Sequence, residues 1–265
     1  MAKFQIQAPA LFEPRALRFA WHYAGYQLRL KYRYTSLGFL WNFLEPALYL
    51  VILSLVFSVV NRMNISDYAV FLFSALVPWR YFEKLVNSLT DSIVGGEWLL
   101  KKMSVSPVAF PLSRWLIATA EFGFSLTVMI VLFLFIKDQW TIHLVVLPLA
   151  FIPWAMLGLG VGMSTAVLYT FFRDVKPMVQ MLLMLLFFSA PILFHAGLFE
   201  SSSLQAQLMR WHPITYLAAL WQKPVYQAAW PGALDWGVAF AQGLLWLAIG
   251  LSCLRWTRQK LYYYL

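Results

Sequence analysis

The chain has 265 residues, 62% of them hydrophobic, 18% aromatic and 12% charged, with a formal net charge of +9. Soluble domains carry about 25% charged residues, so half that share over this length excludes a surface that mostly faces water. The single cysteine, Cys253, excludes a disulfide within the chain and a thiolate metal site. The basic residues sit beside apolar segments rather than along one soluble face, which argues against a nucleic-acid partner.

Met1–Glu13 contains Pro9 and no long apolar core, unlike a secretory signal, so insertion is expected through the first spanning segment. The spacing predicts an interfacial helix over 14–34. At about 100° per residue, Arg15, Arg18, His22, Arg29 and Arg33 fall within a stripe of about 60°. Leu17, Trp21, Ala24 and Leu28 form an apolar stripe beside it. Such a helix lies along a membrane surface with its cations among headgroups. Two readings stand: Arg15, Arg18, Arg29, Lys31 and Arg33 anchor the helix, or some of them grip an anionic substrate headgroup.

Within a few positions the chain then turns from cationic to apolar. Arg29, Lys31 and Arg33 precede a run that stays largely apolar to Val60. A water-soluble core has no use for that junction. A membrane does, with cations at its cytoplasmic surface and the apolar run in its hydrocarbon.

Six segments are long enough to cross a core of about 30 Å, which takes roughly 20 residues. They are 37–60, 68–94, 110–136, 144–172, 178–194 and 236–254. The second is expected to be interrupted at Pro78–Lys84, and the fifth is short. With the N-terminus inside, thirteen of the twenty basic residues fall in inner stretches and four, Arg62, Lys137, Arg210 and Lys223, in outer ones. That bias places both termini in the cytoplasm. Residues 1–36 then form a cytoplasmic N-terminal segment, and 37–265 a single transmembrane domain. The longest outer connection, 195–235, has Pro213, Pro224 and Pro231 with Trp211, Trp221 and Trp230, and reads as short interfacial or re-entrant helices. Tyr262, Tyr263 and Tyr264 read as an interfacial belt. The expected fold is an all-α polytopic membrane protein of six spans.

Catalytic constellations are scarce. The four histidines lie far apart, and neither a Gly-x-Ser-x-Gly elbow nor a Gly-x4-Gly-Lys-Ser/Thr loop is present. The chain therefore cannot bind ATP through a P-loop of its own. The charges inside spans need a reason, because each costs about 2.5 to 3.5 kcal/mol at a helix centre. Glu83 and Lys84 read as a polar break near an interface. Glu45, before Pro46, and Glu121, mid-span, either pair structurally or line a path. Gly158 and Gly162 match a close-packing pattern of membrane helices, either within the subunit or at a dimer contact. Gly95–Met103 combines a Gly-Gly break, a short apolar turn and Lys101–Lys102, which suits a solvated turn or a short docking helix.

Several fragments together are similar to a known family. Lys31–Trp41 with Pro46, Leu76-Val77-Pro78-Trp79 followed by Phe82, and Trp98–Lys102 appear in order. Phe172-Arg173-Asp174-Val175, Ser189-Ala190-Pro191-Ile192 and His212-Pro213-Ile214-Thr215 follow them. The chain resembles the membrane subunit of ABC-2 type exporters, in the branch that exports O-antigen, teichoic acid or capsule. It departs at Lys31, where Arg is usual, at His212, where Asn is usual, and after Lys102. The resemblance implies a homodimer of six-span subunits in the inner membrane of a bacterium, with two separate ATPase subunits that carry ATP and Mg. It implies a lipid-linked glycan drawn through a channel between the copies, and no enzymatic role for this chain. Phe39, Trp41 and Tyr49, with Glu45 and Glu121, are the candidates for lining that path. Glu97, Trp98, Leu99, Leu100, Lys101, Lys102, Arg173 and Asp174 are the candidates for coupling to the ATPase. Rival readings are an exporter of drugs or small lipids, a membrane transferase, which would need clustered His or Asp, and an assembly protein without transport.

Overall fold

The computed structural model describes residues 14–33, 37–102, 105–136, 141–194 and 204–264. Among the described residues run eleven α-helices and no strand. They are α1 (Pro14–Arg33), α2 (Trp41–Asn61), α3 (Ile65–Thr90), α4 (Ser92–Gly95), α5 (Glu97–Lys102) and α6 (Ala109–Ile136). After these come α7 (Leu147–Phe171), α8 (Val175–Ser189), α9 (Leu204–Trp211), α10 (Pro213–Val225) and α11 (Ala233–Tyr264).

Four stretches are long and apolar enough to cross a membrane: Trp41–Asn61, Ala109–Phe133, Ile142–Phe171 and Ala233–Thr257. Two of the six expected spans fall short of that test for different reasons. Helix α3 has the length, 26 residues, but carries Arg80, Glu83 and Lys84. Helix α8 has the composition, but its 15 residues rise only about 22 Å at 1.5 Å per residue.

Helix α2 is polar inward and apolar outward. Asn42, Ser54, Ser58 and Asn61 are buried, while Leu48, Val51, Ile52, Leu55, Val56 and Val59 are exposed. That is the reverse of a soluble amphipathic helix, and it fits a medium as apolar as the side chains it meets. Helix α3 is the opposite case. Its residues from Tyr68 to Trp79 are all buried, and α2, α6, α7 and α10 surround it. A helix enclosed by protein need not be greasy on every side, which is why it tolerates charge. The expected interruption at Pro78–Lys84 is corrected here. The helix runs through Pro78 unbroken, and Glu83 and Lys84 lie within it.

Helix α7 packs between α3 and α11 by means of three glycines. A Cβ at Gly158 would lie 2.6 Å from a Leu85 methyl, and one at Gly162 would lie 2.7 Å from Leu89 Cβ. A Cβ at Gly160 would lie 2.2 Å from the Trp246 carbonyl carbon. Residues four apart share a helix face, while residues two apart point about 200° away from each other. Gly158 and Gly162 therefore admit α3, and Gly160 admits α11. The close-packing pattern serves contacts within the subunit.

Helix α1 ends at Arg33, and Tyr34 lies outside the described residues. It has three faces rather than two. Ala16, Ala20 and Ala24 are buried against α6, helped by Phe19 and Tyr23. Of the expected apolar stripe, Ala24 is buried, while Leu17 and Trp21 are exposed. Alanine wins the protein-facing side because small side chains let two helices approach closely. The cations Arg15, Arg18, Arg29 and Arg33 occupy the remaining, exposed side.

At the opposite end of the bundle, α8 stops at a turn over Ala190–Leu193. The Leu193 carbonyl accepts from Asn61 Nδ2 at 3.0 Å and from the Tyr68 hydroxyl at 2.8 Å. The expected short helices are α9 and α10. Trp154 donates its indole N–H to the Leu217 carbonyl at 3.1 Å, which ties α10 to α7. His212 caps α10: its Nδ1 accepts from the Ile214 amide at 3.2 Å, which leaves the Nε2 proton for Ser189 Oγ at 3.0 Å. Burial pushes the His212 imidazole below its ordinary pKa, in keeping with that neutral tautomer. The side chains of Tyr262, Tyr263 and Tyr264 lie outside the described residues.

Candidate functional site

Arg80, Glu83 and Lys84 stand at i, i+3 and i+4 on α3 and so project from one helix face. Three other helices bring charge to that face. Glu45 of α2 accepts from Arg80 Nη2 and from Lys84 Nζ, each at 2.9 Å. Arg80 Nη1 holds Glu83 at 2.8 Å and its guanidinium lies 4.3 Å from the Tyr49 ring centroid. Glu121 of α6 pairs with Lys31 of α1 and lies 4.0 Å from Lys84. Glu121 is buried, and a buried carboxylate is kept only where cations meet it.

This network forms one wall of a cavity of about 760 Å³ between α1, α3 and α6. Arg114 of α6 lines it too, as do Asp91, after α3, and Lys176 of α8. Lys176 donates to Asp91 at 2.6 Å, so the start of α8 is tied to the end of α3. Apolar Leu30, Ile117 and Ala118 complete the lining. A volume within about 300–1,000 Å³ is that of a small-molecule or headgroup site.

Next to the cavity, α5 turns away from α4 at Gly96. A Cβ at Gly96 would lie 2.4 Å from the Phe110 ring, and Phe110 makes edge contacts with Phe19 and Tyr23 of α1. Leu100 is buried and anchors α5, while Trp98 is 59% exposed. Lys101 pairs with Glu97 at 2.6 Å, and Lys102 lies 5.4 Å from the Trp98 ring centroid. The hydrogen bond from Lys101, then its charge and that of Arg173, hold the Glu97 carboxyl below the usual carboxylate range. The α5 helix and the α7–α8 connection thus face the same side of the molecule, with exposed Arg173 and Asp174 in that connection.

No family model matches the chain. Among curated proteins it is similar to the O-antigen export system permease protein RfbA of Myxococcus xanthus, with 31% identity over 225 residues, covering 84% of this chain and 86% of the relative. The chain belongs to the polysaccharide-export permeases of the ABC-2 class. RfbA of Klebsiella pneumoniae is 26% identical over 235 residues, 85% of this chain and 86% of the relative. The polysialic acid transport protein KpsM of Escherichia coli is 24% identical over 242 residues, 88% of this chain and 91% of the relative.

In this permease the site residues expected from sequence divide into three groups. Glu45 and Glu121 join one ionic network, and Glu121 also lines the cavity. Of the five headgroup candidates, Lys31 reaches the cavity, whereas Arg15, Arg18, Arg29 and Arg33 do not line it. Of the path candidates, Trp41 and Tyr49 are exposed on α2, and the Phe39 side chain lies outside the described residues. The coupling candidates Glu97–Lys102 and Arg173–Asp174 come to one side, and Met103 lies outside the described residues. Sequence reading missed Arg114, Asp91 and Lys176 as cavity residues. Their signal was charge near the ends of predicted spans, with Asp91 and Arg114 just inside the second and third and Lys176 just before the fifth.

Proposed function

We propose that this permease forms the membrane path of an ATP-driven exporter of a lipid-linked polysaccharide of O-antigen type. In this reading α3 and α8 are the second and fifth spans, which gives six crossings with both termini in the cytoplasm of a bacterial inner membrane. Two copies associate through apolar faces such as that of α2, and the glycan passes between them. Two copies of a separate ATPase subunit dock on the side formed by α5 and the α7–α8 connection. Closure of that pair moves the spans as rigid bodies. The cations of α1 lie at headgroup level and draw in the anionic end of the cargo.

The observation that carries this reading is an α5 helix with exposed Trp98, Lys101 and Lys102 on the same side as the exposed Arg173–Asp174 turn, in a chain similar over 84% of its length to an O-antigen export permease. In a strain lacking this chain, lipid-linked glycan should accumulate inside and be exported again when the chain is restored. Lys101→Glu with Lys102→Glu should abolish co-purification of the ATPase and export together. Full export by that variant would sink the docking assignment. A capsule-type glycan is the second reading, favoured by the similarity to KpsM; the chemical identity of the accumulated glycan separates the two.

A further inference from the structure

The cavity holds one charge that its own network does not answer. Five cations, Lys31, Arg80, Lys84, Arg114 and Lys176, face three carboxylates, Glu83, Asp91 and Glu121. Each of those carboxylates already has a cation: Glu83 has Arg80, Asp91 has Lys176, and Glu121 has Lys31. Lys84 is met by Glu45. Arg114 has no carboxylate within salt-bridge distance among the described residues. Its guanidinium Nη2 lies 4.0 Å from where a Cβ on Gly95 would stand, at the mouth of the cavity beside the Gly95–Gly96 break.

We propose that this cavity is an anion site for a phosphate ester or pyrophosphate, with Arg114 as its principal ligand. A planar guanidinium offers paired N–H donors that match two phosphate oxygens at once, which an ammonium does not. Lys176 stands on the same rim, held by Asp91, and can turn to a second phosphate as the anion enters. Leu30 and Ile117 give a short apolar wall for the first carbons of a chain esterified to that phosphate. The inference rests on the exporter reading for the source of the anion, a lipid headgroup, and adds where that headgroup is held. The exposed cations of α1 attract the anion, and the cavity holds it.

The test uses the full chain in nanodiscs of neutral phosphatidylcholine, with farnesyl pyrophosphate, inorganic pyrophosphate and farnesol as probes. Farnesyl pyrophosphate should bind, and Arg114→Gln should weaken it about tenfold or more, equal to about 1.4 kcal/mol. Arg114→Lys should fall between the two. Arg210→Gln, at the far end of the bundle, should bind like the unaltered chain. Tighter binding of farnesyl than of inorganic pyrophosphate supports a lipid headgroup. Equal binding supports the same site filled by a free anion. Equal binding of farnesol overturns the anion site, as does undiminished binding by Arg114→Gln. Where Arg114→Gln lowers the melting temperature, Arg114→Lys decides: weaker binding supports the site and unchanged binding overturns it. Glycan export is measured in parallel. Export by the unaltered chain with full export by Arg114→Gln overturns the site and leaves the exporter reading intact. No glycan export by the unaltered chain, with pyrophosphate binding retained, overturns the exporter reading and leaves the anion site.

Discussion

Glu45 answers two cations at once, Arg80 and Lys84, from a helix 35 residues earlier in the chain. Replacing it by Gln leaves Arg80 with Glu83 and Lys84 with the more distant Glu121, and puts one neutral acceptor in place of a shared carboxylate. Its side chain is 39% exposed, so the pairing is worth less than a fully buried one. A double-mutant cycle of Glu45→Gln and Arg80→Gln, followed by thermal melting in nanodiscs, should show a coupling of about 1 kcal/mol. Strict additivity would remove the network from the account. His212 gives a second expectation at this scale. Its pKa is lowered by burial, so the unfolded chain binds its proton first as pH falls. The cap's contribution is fully present above the unfolded value, about 6.5, and is lost as pH drops from there through the folded value. Protonation also turns the Nδ1 acceptor into a donor, which ends its bond to Ile214. The protection factor of the Ile214 amide, its exchange corrected for the intrinsic rate, should fall between pH 7.5 and pH 5 in the unaltered chain. In His212→Asn, whose side-chain oxygen caps at any pH, the protection factor should show no such acid step. These charges and the proline after His212 were legible in the sequence. Their partners were not, because Glu45 and Arg80, or Lys31 and Glu121, are separated by tens of residues.

At the scale of elements, the α7 glycines rank themselves. A methyl at Gly158 meets the flexible end of Leu85, whereas one at Gly160 meets the backbone of Trp246. Side-chain ends yield and backbone does not, so Gly160→Ala should lower stability by about 1–3 kcal/mol and Gly158→Ala by less. Thermal melting of the two variants checks the order, and the reverse order would refute the assignment of faces. The sequence showed Gly158 and Gly162 at close-packing spacing without showing which neighbour they admit, and gave Gly160 no role. Similarly, the α1 periodicity marked a cationic stripe and an apolar stripe but not the third side that packs on α6. Size decided that side, since Ala16, Ala20 and Ala24 let α1 lie close on α6. The run Pro78–Lys84 misled for a related reason. Proline and charge read locally as a break, while tertiary enclosure of α3 keeps the helix whole.

For the whole molecule, the exposed apolar residues of α2 have no cover within one copy. Ile52 and Val56 stand on one side of the helix and both are exposed. With Cys253 replaced by Ser, Ile52→Cys or Val56→Cys should give an oxidant-dependent band at twice the 30.6 kDa mass. If neither gives that band, and neither does a series of cysteines along the exposed side of α8, the two-copy channel fails.

The sequence alone determined that the chain is helical, that most of it avoids water, and that its basic residues gather at the margins of apolar segments. Those are consequences of composition and period, which need no knowledge of what packs against what. Only the tertiary structure decided that α3 is enclosed and so able to carry charge, and that six charged residues from four helices meet. It also decided that Arg114 faces a cavity without a carboxylate of its own among the described residues. Burial and ionic pairing are properties of distance in space, and a one-dimensional pattern carries almost no information about helices brought together from far apart in the chain.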